Sequence, residues 1–150
     1  MMGADDRGTT PLFLYGVLLG AVAQGPAREL VRGLGPGRAA VARGLLYAVP
    51  AGGRFYPALL PGGGKVHGMV HDPGEADLAA LDRFEDVRPD DPAAGEYRRG
   101  PIEVTLAGSR ERVMAQAWWF NRPVGPLMLP IAHGNFVQWL KDTGAPAARG

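Results

Sequence analysis

The stretch Asp72-Pro73-Gly74-Glu75-Ala76-Asp77-Leu78-Ala79-Ala80-Leu81-Asp82-Arg83-Phe84-Glu85 marks a change of period in the middle of the chain. Leu78, Leu81 and Phe84 recur at helical spacing and form one apolar stripe. Asp72 reads as an N-cap, Pro73 as the first helical residue and Glu75 as the third, a capping-box pattern, so a helix is predicted from there to about Glu85. Immediately before it, Lys65 to His71 alternates with a period of two. Val66, Gly68 and Val70 face one way there, and His67, Met69 and His71 the other. Immediately after it, Arg88 to Gly95 is a loop rich in Pro, Asp and Gly. Arg98 to Leu106 and Arg112 to Phe120 then read as two strands joined by a turn near Gly108-Ser109. Strand, helix, loop and hairpin in that order argue for an α+β domain.

Further from the centre the elements are shorter. Residues 1–10 read as a loose tail. Leu12 to Tyr15 is a buried strand punctuated by Gly16, with a turn at Gly20. Leu12 to Ala23 is a twelve-residue apolar run whose end, Ala21-Val22-Ala23, imitates a leader cleavage site. It falls short of the ~20 residues that span a bilayer. Asp5 and Asp6 outweigh Arg7 where a leader needs basic residues, so the strand reading is preferred. Gln24 to Leu34 reads as a helix with Pro26 in its first turn, and Ala39 to Val49 as a strand. Phe55 to Leu60 is a short strand closed by Pro61-Gly62-Gly63-Gly64. Phe136 to Asp142 reads as a closing helix, followed by a loose tail over 143–150. The prediction is one domain over 11–142, with about six strands in a curled mixed sheet and two or three helices.

Composition narrows the chemistry. The chain has 150 residues, of which 46% are hydrophobic, enough for a core at this size. Its 23 Gly and 14 Pro imply many turns and speak against a helical bundle. The absence of Cys excludes disulfides, thiolate catalysis and thiolate metal sites. The single Ser, Ser109, lies in a turn-like string and not on the elbow a serine hydrolase requires. A net charge of +1 gives no general pull toward nucleic acid or membrane.

Glu85 is the informative polar residue. At 100° per residue it falls about 40° from the centre of the Leu78–Leu81–Phe84 stripe. It also sits in the last turn, where the helix dipole disfavours a negative charge. A carboxyl so placed should have a raised pKa, as a general base working near neutrality does. An arginine partner or simple edge exposure is the alternative. A second feature is Tyr15-Gly16-Val17-Leu18, a strand ending in glycine. Such a turn can aim backbone N–H groups at an anion, but from the residues alone a buried strand ending in an ordinary turn is the preferred reading.

These motifs together resemble the gamma-glutamylcyclotransferase-like family. Tyr15-Gly16-Val17-Leu18 is similar to its Tyr-Gly-(Ser/Thr)-Leu signature. Tyr56-Pro57-Ala58-Leu59 and Val66-His67-Gly68 are similar to its Tyr-Pro-Ala…Val-His-Gly stretch. Leu81-Asp82-Arg83-Phe84-Glu85 matches its Leu-Asp-x-x-Glu segment, and Tyr97-Arg98-Arg99 follows. The blocks stand in family order over about residues 12–120. The resemblance implies a small barrel-like mixed sheet with a cavity between the Tyr15–Leu18 turn and the Glu85 helix. It implies cyclisation of a γ-glutamyl group to 5-oxoproline with release of an amine. Glu85 would be the general acid/base, and Tyr15, Gly16, Val17 and Leu18 would hold the glutamyl end through backbone groups. It implies a small-molecule substrate and no cofactor, metal, nucleic acid or membrane. Val17 stands where the family carries a hydroxyl residue, and Asp86 where a Gly commonly follows the Glu. A carboxylate at Asp86 would raise the pKa of Glu85 further.

Other motifs are weaker. His67 and His71 share a strand face, but no third metal ligand is evident. His133 reads as a surface turn. Gly62-Gly63-Gly64-Lys65 lacks the first Gly and the Ser/Thr of a phosphate loop, and Gly33 to Gly37 follows a helix and not a strand. Arg98 and Arg99 alternate to opposite faces, and Trp118-Trp119 reads as core plus one exposed ring. The sequence therefore predicts a cytosolic, cofactor-free cyclotransferase of small bacterial type, with a non-catalytic binding or assembly module on the same fold as the alternative.

Overall fold

The computed structural model describes residues 10–19 and 22–148, and six strands lie among them. They are β1 (Leu12–Leu14), β2 (Gly37–Ala51), β3 (Arg54–His71), β4 (Tyr97–Leu106), β5 (Arg112–Phe120) and β6 (Leu129–Pro130). The sheet order is β3-β1-β5-β4-β2-β6, and β2 also pairs with β3. That last pairing closes five strands into a barrel and leaves β6 as an extra strand on β2. The sheet is mixed because β1 runs parallel to β5 and antiparallel to β3.

Small residues let the barrel close tightly. Ala40, Ala42 and Ala48 of β2 and Ala115 and Ala117 of β5 are buried with Phe13, Val66 and Val104 in one core. Leu12 and Leu14, on the other face of β1, join a second core outside the barrel with Leu81, Trp118 and Phe120. Burial on both faces explains why β1 is uniformly apolar and not alternating.

Three helices are found among the described residues: α1 (Pro26–Val31), α2 (Leu78–Phe84) and α3 (Phe136–Thr143). Pro26 opens α1 as expected, but the helix stops at Val31, short of Leu34. The α2 start is a clear correction. Its N-cap is Asp77, whose carboxylate accepts from the Ala80 N–H at 3.1 Å, and not Asp72. Asp72 to Ala76 is drawn off the helix by pairing with the segment after α1. Gly35 N–H donates to the Asp72 carbonyl at 2.8 Å, and Glu75 N–H to the Gly33 carbonyl at 2.9 Å. Gly74 takes a left-handed φ of 58°, which no helix continues.

Pro61 to Gly64 does not close a strand either. β3 runs through it, and the register shifts so that Arg43 faces Lys65 and Leu45 faces Leu60. Four residues of β3 thus stand opposite Gly44 alone, an enlarged bulge. Glycine suits it because a Cβ at Gly62 would lie 2.3 Å from Leu45 Cγ. The two short strands expected over 55–71 are therefore one, and β6 supplies the sixth.

The expected C-terminal tail is docked as far as the description extends. Phe55 N–H donates to Pro146 O, Ala148 N–H donates to Phe55 O, and Ala147 is buried. Residues 1–9 of the tail expected over 1–10, the turn at Gly20, and residues 149–150 lie outside the described residues. No helix among the described residues is long and apolar enough to cross a membrane.

Replacing Asp77 by Ala should cost about 1 kcal/mol of stability, the usual loss for an N-cap. Asp72→Ala, at an exposed position, should stay within about 0.5 kcal/mol. Urea unfolding of both variants checks which residue caps α2.

Candidate active site

Strand β1 ends in the turn Tyr15–Leu19, where Leu19 N–H donates to the Gly16 carbonyl at 2.9 Å. Two packing constraints fix this turn. The buried Tyr15 hydroxyl donates to the Trp118 carbonyl on β5. Gly16 lies against Pro57 of β3 so closely that an added Cβ would sit 2.0 Å from Pro57 Cγ. Space and not φ demands glycine here. Among the described residues, the N–H groups of Val17 and Leu18 donate to no carbonyl, so both remain available to a ligand.

Helix α2 approaches from the other side. Asp82 receives Arg99 of β4 in a two-pronged pair, Nε to Oδ1 at 2.9 Å and Nη2 to Oδ2 at 3.2 Å. The Trp118 indole also donates to Asp82 Oδ1, at 2.9 Å. Arg99 is thus engaged at the helix while Arg98, on the opposite face, lies over the Trp119 ring at 5.9 Å. Trp119 is partly buried beneath it, so the second tryptophan is not a free exposed ring.

Helix α2 ends at Glu85, its C-cap, and Asp86 follows at φ 57°. Val87 N–H donates to Asp82 O and Asp86 N–H to Arg83 O, the bonds of a left-handed helix stop. This explains why Gly suits the position after the Glu. Asp is accommodated because its carboxylate accepts from Arg88 Nε at 2.8 Å and from Glu96 N–H at 3.1 Å. Asp86 is therefore committed to Arg88 and is not the acidic neighbour of Glu85. The bond to Glu96 pins the base of the 88–95 loop and sets Glu96 beside the helix end.

Between these elements lies a cavity of about 240 Å³. Tyr15, Gly16, Val17 and Leu18 line one side, Tyr56 and Pro57 another, and Phe84, Glu85, Glu96, Tyr97 and Trp118 the rest. All five residues singled out in the sequence meet in it. Glu85 is partly buried, and its carboxyl has no hydrogen bond or ion pair among the described residues. Its carboxyl pKa is pushed up to about 8, chiefly by burial, then by the charges of Glu96 and Asp82. Burial, with the Glu85 charge added, holds the Tyr15 hydroxyl well above its usual range. Tyr97 is raised chiefly by burial, then by Tyr15 and Glu85, and its hydroxyl donates to the Pro57 carbonyl at 2.6 Å. Tyr56 is raised by burial and by its hydrogen bond to Glu96 Oε2. The three phenols are thus neutral, each donating to its own acceptor, around a carboxyl shifted to about 8.

Glu96 was invisible to sequence reasoning, since it lies in a polar loop with no periodicity. Tyr56 and Tyr97 appear in the sequence only as parts of motifs. Among the described residues no cluster of three or more His, Cys, Asp or Glu is placed to hold a metal. His67 and His71 line a different cavity, and His71 Nδ1 lies 3.0 Å from the Gly35 carbonyl.

A closed barrel with a titratable carboxyl facing a glycine turn defines a class of small-molecule site. The family model described as gamma-glutamyl cyclotransferase, AIG2-like, matches residues 12–138, and the chain belongs to that family. Solved structures share the fold. An AIG2-like protein from Mus musculus superposes with a TM-score of 0.69 at 21% identity, covering 95% of this chain and 97% of that one. A protein from Arabidopsis thaliana gives 0.59 at 23% identity, covering 91% and 75%. Allophanate hydrolase from Kluyveromyces lactis gives 0.57 at 17% identity, covering 90% of this chain but 21% of that one. No curated protein matches the chain significantly.

Gly16→Ala should force the turn away from Pro57 and cost about 1–3 kcal/mol, as overpacking does. Thermal unfolding measures the loss, and ligand-binding titration should show weakened affinity in the variant that remains folded.

Proposed function

We propose that this chain is a γ-glutamyl cyclotransferase, converting a γ-glutamyl amide to 5-oxoproline and a free amine. The observation that carries this reading is the Glu85 carboxyl, unpaired in a cavity and shifted to about 8. The substrate supplies its own nucleophile, so the absence of Cys and the surface placement of Ser109 are no obstacle.

In this mechanism the glutamyl carboxylate is held by the Val17 and Leu18 N–H groups, and the α-ammonium faces Glu85. Glu85 takes one ammonium proton. The freed amine nitrogen attacks the γ-carbonyl carbon and forms the new C–N bond of the five-membered ring. The old C–N bond then breaks as Glu85–H gives its proton to the leaving nitrogen, and the ring nitrogen sheds its second proton through Glu85 to the released amine, which departs as an ammonium. Atoms and charge balance without a cofactor. The cavity contributes by holding the glutamyl chain folded, which converts flexible ring closure into attack from a fixed position. The pKa of Glu85 suits both halves, since a base near operating pH can accept and return a proton.

The test is incubation with γ-glutamyl amides while 5-oxoproline is followed. Glu85→Gln should lower kcat by about 10²–10⁴-fold, the usual worth of a positioned acid/base group. Only the ionised carboxylate accepts the proton, so kcat/KM should rise with pH and level off above about 8. A fall at higher pH belongs to the substrate ammonium. Tight binding with no 5-oxoproline would instead support a non-catalytic binding module.

A further inference from the structure

Glu96 is a second carboxylate in the cavity that the ring-closing step does not use. It lines the cavity, partly buried, one residue before the buried Tyr97. One of its oxygens accepts the Tyr56 hydroxyl. Among the described residues the other has no partner, and no Lys, Arg or His pairs with Glu96. Among the described residues, the lining contains two carboxylates and no cationic side chain. The nearby arginines are engaged elsewhere. Arg99 pairs with Asp82, Arg88 with Asp86, and Arg122, whose charge is felt at Tyr56, donates to the Ala94 carbonyl at 3.2 Å.

This arrangement asks for positive charge in the ligand. The α-ammonium of a γ-glutamyl group accounts for one cation, at Glu85. The cavity, at about 240 Å³, is smaller than the ~300–1,000 Å³ of sites that enclose drug-sized ligands. Glu96, with one oxygen fixed by Tyr56 and one open, is left as the partner for a second cation carried by the leaving amine. Building on the cyclotransferase reading, we infer that Glu96 is the specificity residue for the leaving group. The preferred substrates are γ-glutamyl amides of amines that carry a second positive charge. A charge-assisted hydrogen bond to Glu96 favours them, and like-charge repulsion disfavours leaving groups that end in a carboxylate.

Two amides of equal length separate the terms. One is the γ-glutamyl monoamide of 1,4-diaminobutane, ending in an ammonium, and the other is the amide of n-pentylamine, ending in a methyl. The kcat/KM for the first should exceed the second by about tenfold or more. Glu96→Gln keeps the side-chain shape and an acceptor for Tyr56, and should bring the ratio close to one. Using the ratio cancels any effect of the variant on Glu85 itself. Should the variant fail to fold, product inhibition of the native protein provides the readout, with 1,4-diaminobutane inhibiting more strongly than n-pentylamine. Equal kcat/KM for both amides, or a ratio unmoved by Glu96→Gln, overturns the inference and leaves the cyclotransferase reading standing. No 5-oxoproline from either amide overturns both.

Discussion

The Asp82 carboxylate, gripped by the Arg99 guanidinium and the Trp118 indole, is the contact on which the site depends. Helix α2 has seven residues, too few to be stable alone, and only Leu81 is fully buried. It keeps its place because β4 and β5 both reach it through Asp82. Glu85 lies three residues further, one turn along the same face. Fixing Asp82 therefore fixes the stem of Glu85, and the left-handed stop at Asp86 fixes its end. Removing either partner of the pair would leave a half-buried charge uncompensated, a larger loss than the pair itself is worth.

The contrast between two carboxylates three residues apart shows how the fold divides labour. Asp82 is given three donors and becomes an anchor. Glu85 is given none and is surrounded by burial and by the charges of Glu96 and Asp82. Its folded pKa lies above its ordinary value of 4.5, so its neutral form is the one the fold favours. Stability from that preference is fully present below about pH 4.5 and is lost as pH rises through about 8. The protein thus carries a site that weakens it at the pH where the carboxyl becomes a base, a trade expected of reactive groups.

Much of this was legible before any coordinates. The stripe of Leu78, Leu81 and Phe84 placed Glu85 on the inner face, and the glycine after β1 marked the facing turn. What escaped has a common cause, long-range pairing. Asp72 has every local mark of an N-cap, yet hydrogen bonds from the segment after α1 pull it out of the helix. Pro61-Gly62-Gly63-Gly64 has the composition of a strand end, yet β2 holds it in register as a bulge. Asp86 seemed placed to perturb Glu85, but its left-handed backbone turns its carboxylate to Arg88. Glu96 reaches the cavity only because that same residue clasps the far end of the loop. Local pattern identified the helix face correctly and could not see which distant backbone would compete for its start.

The direct measurement is the ionisation of Glu85 itself. Following its side-chain carboxyl carbon by NMR against pH, in the ligand-free protein, reports that group alone. The account predicts a midpoint near 8. A midpoint in the ordinary range of ~4–5 for a glutamate would contradict it, because the carboxyl would then be solvated or paired and the cavity would hold no base tuned to neutrality.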